Sequence, residues 1–327
     1  MTSFAAWKAA VEKEIDGASF DDVMIKRLLG GTRREALHTS LSDADVILAK
    51  EAHALIVEPR PPADLSALPP ARASLDEGLA RFGIGPALQL AMHLASADAW
   101  SDRDSNVTFE VSIGSDIWTE VAKLRALRLG WAKLQVLRKR TPKWAHIIAT
   151  SVSPALTLRE PWVNLLRNAH VAFASIVGGA DDVVLVPFDI GYRPQSELGR
   201  RMVHNVRRLI EHEGQLAKVK DPAHGSFAIE ALSCQLLRHA WAILERIDSA
   251  GGYAAFHASG ALHALCDADI AERTKLIRSG ALNVTGITAF VDRDPEKLGG
   301  YPTSVLGVAD PQSMEWTCEA AIDGVTR

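Results

Sequence analysis

The stretch Val107–Leu137, VTFEVSIGSDIWTEVAKLRALRLGWAKLQVL, decides how the chain is read. Its first part, Val107–Ile113, is rich in β-branched and aromatic residues and alternates with period 2, which predicts a strand. After Gly114 the period changes. Ile117, Val121, Leu124, Leu127, Trp131, Leu134 and Leu137 follow at spacings of 4, 3, 3, 4, 3 and 3, which predicts a long amphipathic helix over 115–138. A second apolar run, AHIIA at 145–149, follows at once. Strand, helix and strand in that order define a parallel βαβ unit.

The pattern continues in both directions. Upstream, Pro86–Trp100 reads as a helix with Leu90, Leu94 and Ala97 on one side. Downstream, Pro161 suits the first position of a helix that carries Leu165, Leu166, Ala169, Phe173 and Ile176 and closes at Gly178-Gly179. Asp182–Pro187 (DVVLVP) is expected as a buried strand. Ser196 is a natural N-cap for a helix through Ile210, and 227–249 forms another, stopped by Gly251 and Gly252. Nearer the start, Phe4, Trp7, Val11 and Ile15 mark a short helix. The run Ala54–Val57 reads as a buried strand, and five of the 15 prolines crowd into 59–70, where regular structure must stop. The expected architecture is therefore α/β, with short strands buried on both faces as inside a barrel or doubly wound sheet. Four or five strands are visible, fewer than a closed eight-stranded barrel needs.

Composition narrows the function classes. Of 327 residues, 47% are hydrophobic and 23% charged, and the net charge is −4, which argues against a broad nucleic-acid footprint. The first residues contain acids and no apolar core segment, so no secretory signal is read, and no 18-residue apolar run spans a membrane. Three scattered cysteines (Cys234, Cys266, Cys318) suit a reducing cytoplasm rather than a disulfide framework.

Chemical motifs are sparse. There is no phosphate-binding loop, no nucleophile elbow, and Gly83-x-Gly85-x-x-Leu88 reads as a turn before a helix. Eleven histidines give no metal-ligand spacing beyond His263 and Cys266, so no metal site is assigned. Asp221–Ser226 (DPAHGS) reads as a tight turn into the next helix. Arg138-Lys139-Arg140 and Lys143 are expected as solvated cations at a helix end, with a phosphate clamp as the alternative. Polar groups at strand C-termini are the better candidates, since that rim carries the chemistry in parallel α/β folds. They are Glu58 and Arg60, Ser112 and Ser115, Thr150, Ser151 and Ser153, and Asp189, Tyr192 and Gln195. No triad or carboxylate pair stands out, so no catalytic residue is named. The ligand-facing set is Ser112, Thr150, Ser151, Ser153, Asp189 and Gln195.

Several blocks together resemble the methylmalonyl-CoA mutase family, its small-subunit branch most closely. They are Trp7 through Asp22, GIGPALQLA at 83–91, SIGSDIWTEVAKLRALRLGW at 112–131 and EPWVNLLR at 160–167. Gly178–Asp181, Pro187–Asp189, Asn205–Glu213, Asp221–Phe227, Ala250–Gly252 and Val284–Ile287 continue in the same order. The resemblance implies a TIM-type (β/α) barrel, here with strands missing, over residues 41–290. An N-terminal helical arm at 1–40 would touch a partner through Phe4, Trp7 and Val11, and 291–327 would form a wrapping tail. It also implies radical rearrangement of acyl-CoA with adenosylcobalamin, whose separate binding domain is not expected here. The positions matching the family's active-site residues read His38, Gly78, His146 and Ala149, so every alignable acid–base or carboxylate-binding residue is replaced. The favoured expectation is a degenerate subunit that stabilises a large mutase chain. The alternatives are an autonomous acyl-CoA- or cobalamin-binding isomerase and a homodimeric binding module.

Overall fold

The computed structural model describes residues 4–15, 19, 25–27, 33–35, 41–57, 72–74, 84–100, 107–151, 156–157, 160–190 and 196–291. The elements run α1 (Phe4–Glu14), β1 (Ile25–Arg27), β2 (Arg33–Glu35), α2 (Asp43–Val57), β3 (Arg72–Ser74), α3 (Pro86–Trp100), β4 (Val107–Ser112), α4 (Ile117–Leu137), β5 (Ala145–Thr150), α5 (Pro161–Val177) and β6 (Asp182–Val184). After these come α6 (Glu197–Arg208), α7 (Phe227–Ser249), α8 (Tyr253–Ala258) and α9 (Ala261–Arg278). Strands β1 and β2 pair antiparallel, while β3-β4-β5-β6 form a parallel sheet in sequence order. The predicted βαβ unit is present: Val107 to Ser112 pair with Ala145 to Thr150 in unbroken register.

The sheet is two-sided in a way the sequence reading did not anticipate. Val107, Phe109 and Val111, with Ala145, Ile147 and Ala149 beside them, are buried. Phe109 meets the edge of Trp131 on α4 and of His93 on α3, so α3 and α4 cover this face. On the other face Thr108, Glu110 and Ser112 pair with His146, Ile148 and Thr150, and β6 adds Asp182 and Val184. Val184 is 49% exposed, so the expectation of strands buried on both faces fails there. On β4 and β5 the same face is largely closed, with Thr108, Ser112 and Thr150 buried. Strand β6 also ends at Val184, short of the expected Pro187.

Helix α4 lies at the centre of the core. It packs against α2, α3, α5 and α7. Its residues from Thr119 to Trp131 are all buried, polar ones included. Ala54–Val57 proved to be the last turn of α2, not a strand. Ser42 Oγ accepts from Asp45 N at 3.2 Å, and Asp43 and Asp45 favour the positive helix start. Ala49, Ala52 and Ile56 then fall on one buried face with helical spacing. The basic run after α4 is solvated only in part: Lys139 is exposed as expected, whereas the two arginines are paired. Arg138 pairs with Asp98 of α3 and Asp248 of α7, and Arg140 pairs with Asp98. The bond to Asp248 leads in holding the Arg138 guanidinium more firmly charged than usual. No helix among the described residues is long and apolar enough to cross a membrane.

Candidate functional site

The carboxyl ends of β4, β5 and β6 gather the candidate residues. Four of the six ligand-facing positions are described here, and all four are buried: Ser112, Thr150, Ser151 and Asp189. Ser153 and Gln195 lie outside the described residues, as do Glu58, Arg60 and Tyr192. Ser115 is exposed. Of the arm residues, Val11 is half-buried, and the side chains of Phe4 and Trp7 lie outside the described part of α1.

The rim is built by hydrogen bonds that extend the sheet. Ile113 N donates to Thr150 O at 2.9 Å, and Ser151 N donates to Val184 O at 3.0 Å. Ser151 Oγ accepts from Val186 N at 2.8 Å, replacing a ladder bond where β6 has ended. This hydroxyl therefore holds the fold. At β4 the carbonyl of Ser112 accepts from Lys123 Nζ at 2.8 Å. The same ammonium donates to Gln89 Oε1 at 2.8 Å and faces Glu120 Oε2 at 2.5 Å. Lys123 is 1% exposed, and two hydrogen bonds and the adjacent Glu120 carboxylate offset the cost of keeping its charge in the interior.

The EPWVNLLR block supplies the opposite side. Pro161 opens α5, and Asn164 and Arg167 fall three apart on one face. Asn164 Nδ2 donates to Thr157 O and Phe188 O, and its Oδ1 accepts from Thr157 N and Arg167. Arg167 also donates to Thr157 Oγ1 and Thr285 O. Its guanidinium is held below its usual pKa by burial. Asn168 Nδ2 donates to Val186 O at 2.9 Å. These side chains fix the loops around β6. On this side Asp189 Oδ1 and Asn168 Oδ1 are buried without a hydrogen-bond partner, as is Glu120 Oε2 beside Lys123. Asp189 sits against the first turn of α6, where a Cβ on Gly199 would collide with its carboxylate, so glycine is required there.

Of the four positions that the resemblance matches to the family's active-site residues, two are described, both on β5. Ala149 is fully buried near the end of β5. His146 stands at the opposite, amino end of that strand, 3.2 Å from Asp182. His38 and Gly78 lie outside the described residues. Sequence reasoning missed Gln89, Glu120 and Lys123. The available signal was the charges of EVAKLRALR inside a segment otherwise apolar enough to be core. The free thiols Cys234 and Cys266 are both buried. Burial, with Asp45 close by, pushes the Cys234 thiol up to about 12; burial, with Asp269 and Asp267, pushes Cys266 up to about 11. Neither has the depressed pKa of a reactive cysteine.

A parallel sheet in sequence order with a helix between successive strands is the frame of an α/β protein. Comparison with known proteins gives the frame its family: the chain belongs to the methylmalonyl-CoA mutase family, whose model matches residues 98–306. It is 32% identical over 276 residues to the probable methylmalonyl-CoA mutase small subunit of Mycobacterium bovis, covering 75% of this chain and 44% of that one. It is 32% identical over 209 residues to the methylmalonyl-CoA mutase small subunit of Streptomyces virginiae, covering 61% and 34%. The small subunit of Propionibacterium freudenreichii subsp. shermanii is 28% identical over 188 residues, covering 56% and 29%. The chain thus spans less than half the length of the curated relatives it matches. Its likeness is to the small-subunit branch.

Proposed function

We propose that the chain is a small-subunit-type barrel unit that supports a catalytic mutase large subunit and carries out no turnover itself. The observation that carries this reading is the state of the rim. Ser151 Oγ, Lys123 Nζ, Asn164 and Arg167 are engaged in bonds that hold the protein together. The replacement of the family's active-site positions by His38, Gly78, His146 and Ala149 agrees with it. In this reading the parallel sheet is one arc of a TIM-type barrel with strands missing, residues 41–290 form that barrel, 1–40 the arm and 291–327 the tail. Relatives named as small subunits point to a larger chain as the partner.

The family's chemistry draws on adenosylcobalamin, which supplies the radical. The rim residues described here do not fit that group. The described hydrogen bonds of Ser151, Lys123, Asn164 and Arg167 all run within the chain, and no step is assigned to it.

Asp189 Oδ1 and Asn168 Oδ1 favour one second reading, a rim that binds an acyl-CoA-like ligand by accepting from its amide or hydroxyl groups. Two measurements separate the readings. Mixing the chain with the large mutase subunit of its own cell should give one species of summed mass by light scattering. Calorimetry with acyl-CoA thioesters and with adenosylcobalamin should give no heat. Turnover of methylmalonyl-CoA by this chain and coenzyme alone would refute the supporting role. Failure to form the mixed species would refute the partner.

A further inference from the structure

A cluster far from the rim has a different chemistry. His53 on α2, with Asp221 and His224 in the turn ahead of α7, place one ligand atom each within 4.8 Å of one another. Asp221 borders a cavity with Asp181 and Asp182, at the amino end of β6 and so at the opposite end of the sheet from Ser151 and Asp189. We propose that His53, Asp221 and His224 form a binding site for a divalent transition-metal ion of the zinc type.

Charge and hydrogen bonding support this assignment. Two buried carboxylates, Asp221 and Glu230, share one buried guanidinium, Arg125. The side chains are 0%, 1% and 0% exposed, so two acidic groups face a single guanidinium in the interior. Glu230 Oε1 takes Arg125 at 2.6 Å, while its Oε2 is buried with no hydrogen-bond partner. Asp221 gives one oxygen to Arg125 and the other to His53 Nδ1 at 2.7 Å. His224 Nδ1 lies 3.4 Å from Glu230 Oε1. The two imidazoles stack with centroids 3.7 Å apart. A cation held by the two imidazoles and the Asp221 carboxylate would offset this excess of acidic groups.

The donors also select the ion. Two imidazole nitrogens and one carboxylate oxygen suit zinc, cobalt or nickel, whereas calcium and magnesium require mostly oxygen ligands. Three protein ligands leave a fourth position for water. The imidazoles are 35% and 39% exposed, which gives an ion a path in and lets the rings turn from stacking towards a common point. Arg125 and Glu230, behind Asp221 and His224, are the bonded outer partners that metal ligands usually have. An ion here would pin α2 to the turn that starts α7. The assignment stands independently of the mutase reading.

The test uses the full chain without an affinity tag, stripped with chelator. Cobalt(II) should bind with a one-equivalent endpoint and ligand-field bands of nitrogen and oxygen coordination, and zinc should displace it. Zinc should also raise the thermal midpoint of the native chain. His53→Ala and His224→Ala should each weaken zinc binding by more than about tenfold, the scale at which even outer partners act. Both histidines are partly exposed, and the cobalt titration needs no variant, so misfolding of a variant does not blunt the test. Binding that is non-saturating, or equal in wild type and both variants, is adventitious and overturns the site.

Discussion

Replacing Arg125 by Met tests the buried network that joins α4 to the start of α7. In the native chain the guanidinium donates to Asp221 and to Glu230, and all three side chains are effectively shielded from water. Methionine fills similar volume but leaves two carboxylates facing an apolar side chain. Removing one partner from a buried ion pair costs about 3–5 kcal/mol. With an m-value of about 3 kcal/mol/M for a chain of this size, the urea midpoint should fall by about 1–1.7 M. The assay is urea unfolding followed by circular dichroism, in chelator so that no bound ion masks the change. The slope must stay constant for the shift to be read as stability. A second variant, Arg125→Met with Glu230→Gln, removes one of the stranded charges and should recover part of the loss. If Arg125→Met lowers the midpoint by less than about 0.2 M, equivalent to roughly 0.6 kcal/mol, the charges are not sequestered and the reasoning fails.

Gly130→Ala should destabilise the chain by about 0.5–2 kcal/mol, as overpacking does, despite the gain in helix propensity of about 1 kcal/mol. A Cβ there would stand 2.9 Å from Leu94 Cδ1 and from Leu237 Cδ1, both in the core; a raised thermal midpoint would show that these leucine tips yield. Asp269 tests pH dependence: burial raises its pKa above the usual 3.8, although Gly85 N–H donates to it at 2.7 Å and pulls the other way. The folded state therefore holds this proton more tightly, so the contribution is complete below 3.8 and is lost as pH rises through the raised value. Asp269→Asn keeps an acceptor for Gly85 and should flatten that part of the stability profile in thermal unfolding between acid and neutral pH. An unchanged profile would show that Asp269 does not contribute.

The partition between sequence and tertiary structure is clearest in α4. Its apolar period, from Ile117 to Leu137, predicted the helix, and the alternation of Val107–Ser112 predicted the strand ahead of it. Ser196 as a cap and Pro161 at a first helical turn were equally legible, because caps and φ restrictions act within a few residues. The run at 54–57 misled because four apolar residues suit either period, and the deciding cap lies twelve residues earlier, at Ser42. The helices α8 and α9, following Gly252 and Gly260, were not foreseen at all.

By itself, then, the sequence determined the alternation of strands and helices, the parallel sheet that follows from it, and the family. Tertiary structure alone decided which polar side chains became interior. A helical period marks the face towards one neighbour, but α4 is enclosed by four helices, so Glu120, Lys123, Arg125 and Arg128 are buried as well. Their partners cannot be read locally. Lys123 meets Gln89, 34 residues away; Arg125 meets Asp221 and Glu230, 96 and 105 residues away; and His53 meets Asp221 across 168. Such pairings follow from which helices pack together, and no spacing along the chain encodes that.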